Sequence, residues 1–239
     1  MVLFDLDDTL RFSVPSAPDI VLAVASQCGL ALVPEARRRG QRWLHQYWAE
    51  SPELLHDLAA SKGVEDEYFW ARHLQRYLSQ VCTEPAPAVI LHRIFARARA
   101  EFRPGNVVPP GATHVLRELR AAGYRLGCVS NRRERVDAVL EAIGVASFFE
   151  LAVSTADLGV SKPDPMALLI PARRLEARAE DIAFVGDNPL SDVLCAERAG
   201  MWPVLLDLHG VYPEAEGNVA RSFADLPLLL CQTAREPEY

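Results

Sequence analysis

The segment VLFDLDDTL, residues 2–10, decides the reading of the whole chain. Val2, Leu3 and Phe4 follow one another without a polar residue, the mark of a strand buried on both faces of a sheet. Asp5, Asp7, Asp8 and Thr9 come directly after them. Carboxylates crowded at the end of a buried strand repel one another, and the repulsion grows where little water screens it. Such a cluster needs positive partners, and the rest of the sequence is read for them.

The chain of 239 residues is 50% hydrophobic and 24% charged, as ordinary globular proteins are. Its formal charge of −7 argues against a nucleic-acid partner. The N-terminal residues carry no basic, apolar leader, and no apolar run approaches the ~20 residues a membrane span requires, so neither secretion nor a membrane partner is expected. Five cysteines (Cys28, Cys82, Cys128, Cys195 and Cys231) are scattered without a C-x-x-C pair. That pattern predicts free thiols in a reducing cytoplasm and speaks against a zinc site. Of the 25 basic residues only Lys62 and Lys162 are lysine.

Two compositions alternate along the chain. From about residue 106 onward, short apolar runs (125–129, 151–154, 182–185, 203–206) alternate with helical patterns (111–122, 134–143, 165–175, 191–199), most closed by glycine. This alternation predicts an α/β fold, a Rossmann-like parallel sheet flanked by helices. Residues 16–102 instead read as helices alone, starting with a capping box at Ser16 and Asp19. The expected division is therefore a core of residues 1–12 and 106–239, interrupted by an all-helical insert of residues 13–105. A closing helix is expected over 223–230.

In a parallel sheet the carboxyl ends of the strands share one edge, where ligands bind. Asp5 and Asp7, Ser130 and Asn131, Lys162, and Asp187 with Asp192 all follow apolar runs. Asp5, Asp7 and Asp187 are hard oxygen donors that suit Mg²⁺. Lys162 supplies the second positive charge. Taken singly, Ser130 also suits a helix cap and Asp192 a helix N-terminal charge.

FDLDDTL, VSN, SKPDP and GDNPLSD, in this order between residues 4 and 192, resemble the four motifs of the haloacid dehalogenase superfamily of hydrolases. The resemblance covers the core, and the helical insert lies where that family carries its first type of cap. It implies Asp5 as nucleophile, forming an aspartyl-phosphate, and Asp7 as general acid and base with its backbone carbonyl on the metal. It further implies Asp187 as a direct ligand and Asp192 as a support for the metal waters or Lys162. Ser130, Asn131 and Lys162 would bind the phosphoryl group with backbone N–H groups at the following helix start. Thr9, placed with them, would orient Asp7 or the turn; Asp8 receives no role.

The implied function is a Mg²⁺-dependent phosphatase acting on a small phosphorylated metabolite. A phosphosugar mutase shares all four motifs. A dehalogenase needs no acid at Asp7, and a phosphonatase would need Lys62 as a Schiff-base lysine. A non-catalytic module would be free to lose Asp5, Asp7, Lys162 or Asp187. Arg132 and Arg133 are candidates for a second anionic group of the substrate. In RRRGQRWLHQYW (37–48), Arg42, His45 and Tyr47 are candidates for the pocket, against a plainer reading of Trp43, Leu44 and Tyr47 as core and Arg37–Arg39 as solvated face. Pro and Gly near 11–15 and 103–108 are expected as hinges for a closing cap.

Overall fold

The computed structural model describes residues 1–232. They fall into two compact units, residues 1–12 with 106 onward, and residues 13–105. The chain opens with β1 (Val2–Phe4) and β2 (Phe12–Val14), then runs through α1 (Ala17–Gln27), α2 (Ala36–Trp48), α3 (Pro52–Ala59), α4 (Glu67–Val81) and α5 (Ala88–Glu101). It returns through β3 (Gly105–Val107), α6 (Ala112–Ala121), β4 (Leu126–Ser130), α7 (Val136–Ala142), β5 (Leu151–Ser154) and α8 (Met166–Arg174). β6 (Ala183–Gly186), α9 (Leu194–Ala199), β7 (Trp202–Leu206), β8 (Val219–Ala220) and α10 (Leu226–Gln232) complete it.

The first unit is built on a six-stranded sheet in the order β5-β4-β1-β6-β7-β8. All its pairings are parallel. β1 is central, with Phe4 opposite Cys128 on one side and Val185 on the other. The two-residue alternation of a strand sorts its side chains between two cores. Val2, Phe4, Leu126, Cys128, Ala183 and Val185 join α6, α7 and α10 residues on one face, including Val115, Leu119, Leu140 and Leu226. Leu3, Val129 and Phe184 pack on the other face with Leu168 and Ala172 of α8 and Cys195 and Ala199 of α9. Helices on both faces are what a strand as uniformly apolar as VLF requires. Asp8 turns the chain out of the sheet edge at φ 59°, a left-handed conformation that aspartate tolerates.

The second unit contains helices α1 to α5. Ser16 caps α1 by accepting from the Asp19 N–H at 3.2 Å, and Ser51 caps α3 from Leu54 at 3.1 Å. Leu74, Tyr77, Leu78 and Val81 form one stripe of α4 and bury against Val24, Ala25 and Ile94. Gly40 of α2 lets α4 approach closely: a Cβ there would lie 2.6 Å from Tyr77 Oη. Tyr47 is buried and Trp43 packs on the core, while Arg37 is solvated, so the plainer reading of this segment is the correct one for them. His45 is buried too, 3.0 Å from Gln41.

The helical expectation missed a polar centre in this unit. Asp57 is fully buried and accepts from Arg76 Nε at 2.7 Å, Arg72 Nε at 2.9 Å and Tyr47 Oη at 3.1 Å. Burial alone would raise its carboxyl; the hydrogen bonds from Arg76, Arg72 and Tyr47 outweigh that and hold it below the usual carboxylate range. His73 sits beside it among the rings of Trp43, Tyr47, Trp48, Phe69 and Trp70.

Three short strands were not legible as strands. The stretches expected as hinges contain β2 and β3, which form a two-stranded sheet. β8 has two residues and is defined only by its pairing with Leu205 and Leu206. The closing helix begins as a tight turn over Phe223–Asp225 and becomes α-helical at Leu226.

Candidate active site

Asp5 stands one residue beyond β1, its N–H still bonded to the Val185 carbonyl at 2.9 Å. Parallel pairing puts the end of β4, at Ser130, and the end of β6, at Gly186, on the same edge. Asp187 follows Gly186 directly. The next turn, Pro189–Val193, is π-helical and is capped by Asn188, whose side chain accepts from Leu190 and Ser191. That turn directs Asp192 inward, and its carboxylate accepts from the Asn188 N–H at 3.0 Å. Gly186 makes room for it, since a Cβ there would meet Asp192 Oδ2 at 2.4 Å.

Lys162 closes the cluster from a turn ahead of α8. Its Nζ donates to Asp5 Oδ1 at 2.6 Å and to Asp192 Oδ1 at 2.7 Å. The side chain is 2% exposed and also lies over the Phe184 ring at 5.1 Å. Burial by itself would lower the lysine, but Asp192 and Asp5 outweigh it and hold the ammonium well above its ordinary value. Burial pushes the Asp5 carboxyl well above the usual range; Lys162 opposes this, and Asp192 and Asp187 add to it.

Carboxylate oxygens of Asp5, Asp187 and Asp192 lie within 4.8 Å of one another. Three carboxylates against one ammonium leave the cluster short of positive charge, and all the donors are hard oxygens. The donor set fits a small divalent cation such as Mg²⁺.

The remaining candidates are distributed less simply. Thr9 is buried, but its hydroxyl lies 3.4 Å from Asp187 Oδ1, so its side chain orients Asp187 rather than Asp7. Asn131 spends its side chain on the Lys162 loop: Nδ2 donates to the Lys162 carbonyl, and Oδ1 accepts from the Lys162 N–H and the Thr155 hydroxyl. Its amide side chain therefore braces the lysine. Ser130 is buried at the strand end, and its hydroxyl accepts from the Arg132 N–H at 3.4 Å. It caps no helix. α7 begins only at Val136, so the N–H groups beside Ser130 belong to a bend rather than a helix start.

Asp7 is separate from the three-carboxylate cluster. Its Oδ1 accepts from Arg11 Nη1 at 2.7 Å and Arg132 Nη1 at 2.9 Å. Arg132, expected to await a second anionic group of the substrate, is thus engaged by Asp7; Arg133 is exposed. Arg11 was missed as a site residue; it meets Asp7 because the turn over residues 8–10 brings the two together.

Comparison with known proteins agrees with this architecture. A model of the haloacid dehalogenase-like hydrolases matches residues 1–200. A glyceraldehyde 3-phosphate phosphatase of Methanopyrus kandleri is 30% identical over 98% of this chain and 97% of its own length. A phosphoglycolate phosphatase of Pseudomonas savastanoi pv. phaseolicola is 31% identical over 96% of this chain and 78% of its own. Among solved structures, a haloacid dehalogenase-like protein of unknown function from Agrobacterium tumefaciens shares the fold with a TM-score of 0.66 at 19% identity, covering 98% of both chains. Four ordered motifs, a parallel sheet that gathers them on one edge and a match over most of the chain lead to one conclusion: the chain belongs to the haloacid dehalogenase-like hydrolases.

Proposed function

We propose that the protein is a Mg²⁺-dependent phosphatase that hydrolyses a small phosphorylated metabolite in the cytoplasm through a phosphorylated Asp5. The observation that carries this reading is the buried Lys162 ammonium bridging Asp5 and Asp192, beside a third carboxylate, Asp187, with oxygens of all three acids within 4.8 Å. The names of the relatives point to two- and three-carbon phosphate esters as the substrate class.

In this reading Asp5, Asp187 and the backbone carbonyl of Asp7 would hold the cation, which would supply positive charge against the phosphoryl oxygens. Lys162 occupies Asp5 Oδ1 and keeps the side chain in one orientation for attack. An Asp5 oxygen bonds to phosphorus as the ester P–O bond breaks, and Asp7 delivers a proton to the departing oxygen. Asp7 then takes a proton from water as that water attacks the phosphorus, and the Asp5–phosphate bond breaks. Ser130 and the N–H groups of the bend after it hold phosphoryl oxygens, and Asn131 fixes Lys162 through its backbone. Asp192 keeps the lysine aimed at Asp5.

The test is hydrolysis of p-nitrophenyl phosphate by wild type and Asp5→Asn, with and without Mg²⁺. Activity that disappears in Asp5→Asn and on chelation is the expected result. Activity that survives in purified Asp5→Asn would refute the nucleophile assignment.

A further inference from the structure

Asp7 is held in an unusual way for a partly exposed carboxylate. Two guanidinium groups converge on one of its oxygens, Oδ1, at 2.7 and 2.9 Å, from Arg11 and Arg132. Oδ2 has no hydrogen bond from the described residues. A surface ion pair is normally one cation to one anion, and its geometry is loose. Here both cations are more buried than the anion, at 16% and 20% exposed against 37% for Asp7. Each is anchored again. Arg11 Nε donates to Asn106 Oδ1 at 2.7 Å, and Arg132 Nε to Glu134 at 3.3 Å. The Arg132 backbone is tied as well, its carbonyl to the Ser154 hydroxyl and its N–H to Ser130. The arginines come from different loops of the core and share no other acid among the described residues. An acid of two rotatable bonds is thereby held with one oxygen engaged and the other open.

We propose that Arg11 and Arg132 are positioning residues that fix the Asp7 carboxyl for proton transfer, holding Oδ1 so that Oδ2 carries the proton to the departing ester oxygen. This rests on the reading of Asp7 as general acid and base. Oδ2–H gives its proton to the leaving oxygen as the ester P–O bond breaks. The same oxygen regains a proton from water as the water oxygen bonds to phosphorus. Holding the acid in one rotamer saves the ordering that an unheld side chain must undergo in the transition state.

The leaving group separates this role from others. A p-nitrophenolate departs without a proton; an alkoxide does not. The constant kcat/KM covers only the steps through departure of that group, so it excludes hydrolysis of the phosphoenzyme. We would measure kcat/KM for n-propyl phosphate and p-nitrophenyl phosphate in wild type, Arg11→Ala, Arg132→Ala, the two Arg→Lys variants and Asp7→Asn. Thermal unfolding would verify that each variant is folded. The expected result is an alkyl-to-aryl ratio about tenfold lower in each Arg→Ala variant, partly recovered by lysine, and lower still in Asp7→Asn. An equal loss on both esters in the arginine variants would overturn the proposal, as a general structural role predicts. With 2-phosphoglycolate as a third substrate, a loss in Arg132→Ala confined to KM for that ester would also overturn it, since it would make Arg132 a substrate-carboxylate ligand. If Asp7→Asn collapses the ratio and the arginine variants do not, this inference alone fails. If Asp7→Asn leaves the ratio unchanged, the assignment of Asp7 fails and takes the inference with it.

Discussion

Acidification should destabilise the helical unit through His73. The imidazole lies in α4 with ring centroids 4.7 Å from Tyr47, 5.2 Å from Trp43, and 5.5 Å from Trp48 and from Trp70. Phe69 stacks on it with 13° between the planes. Its Nδ1 is buried without a hydrogen-bond partner among the described residues, so a proton added there would find no acceptor among them. Burial lowers the His73 pKa from 6.5 to about 4, with Asp57 opposing. Between these values the unfolded chain binds more protons than the folded one, so stability rises with pH across this window. The contribution is complete above 6.5 and is lost progressively as the pH falls toward about 4. At about pH 4.5 the loss amounts to about 2.5 kcal/mol.

Urea unfolding followed by tryptophan fluorescence measures it, because Trp43, Trp48 and Trp70 all belong to this unit. Carboxylates also titrate in acid, so the comparison is the difference between wild type and His73→Phe. The phenyl ring keeps the aromatic packing and cannot ionise. Wild type should lose about 2.5 kcal/mol more than His73→Phe between about pH 7.5 and about pH 4.5. Equal losses in the two proteins would refute the reasoning, and His73→Gln supplies a second non-ionising reference if the phenyl ring overpacks.

Three further experiments probe close approaches and buried charge. Gly186→Ala places a Cβ 2.4 Å from Asp192 Oδ2, so the carboxylate that aims Lys162 must move; steady-state kinetics should show kcat lower by about 100-fold. Gly40→Ala meets Tyr77 Oη at 2.6 Å and should cost about 1–3 kcal/mol in urea unfolding, while a milder cost would mean that the tyrosine ring can swing aside. Removing both Arg72 and Arg76 leaves the Asp57 carboxylate, fully buried in the intact chain, with only the Tyr47 hydroxyl bonded to it among the described residues; unfolding should be easier by about 3–5 kcal/mol, and Asp57→Asn in that background should recover part of the loss.

The chain's own order of residues determined the fold class and named the residues that meet at the sheet edge. An apolar triplet ending in Asp5, and three later apolar runs leading to Ser130, Lys162 and Asp187, can share an edge only in a parallel sheet, because parallel strands end together. The helical insert was legible for a local reason as well: residues 16–102 read as helices alone, starting with the capping box at Ser16 and Asp19. What local pattern could not decide is how each polar atom is spent, since that depends on neighbours distant in sequence. Thr9 faces Asp187 across 178 residues, and the Asn131 side chain reaches the Lys162 backbone across 31. Arg132 turned to Asp7 across 125 residues, where the sequence alone suggested a free cation. Buried hydrogen-bonding groups must find partners wherever the packed chain offers them, so tertiary structure assigned those contacts. The same holds for Asp57 and His73. Each looks like a residue on a solvated helix face until packing of α2 and α3 against α4 changes its surroundings, and these then set its charge: hydrogen bonds hold the Asp57 carboxyl low against burial, while burial lowers His73.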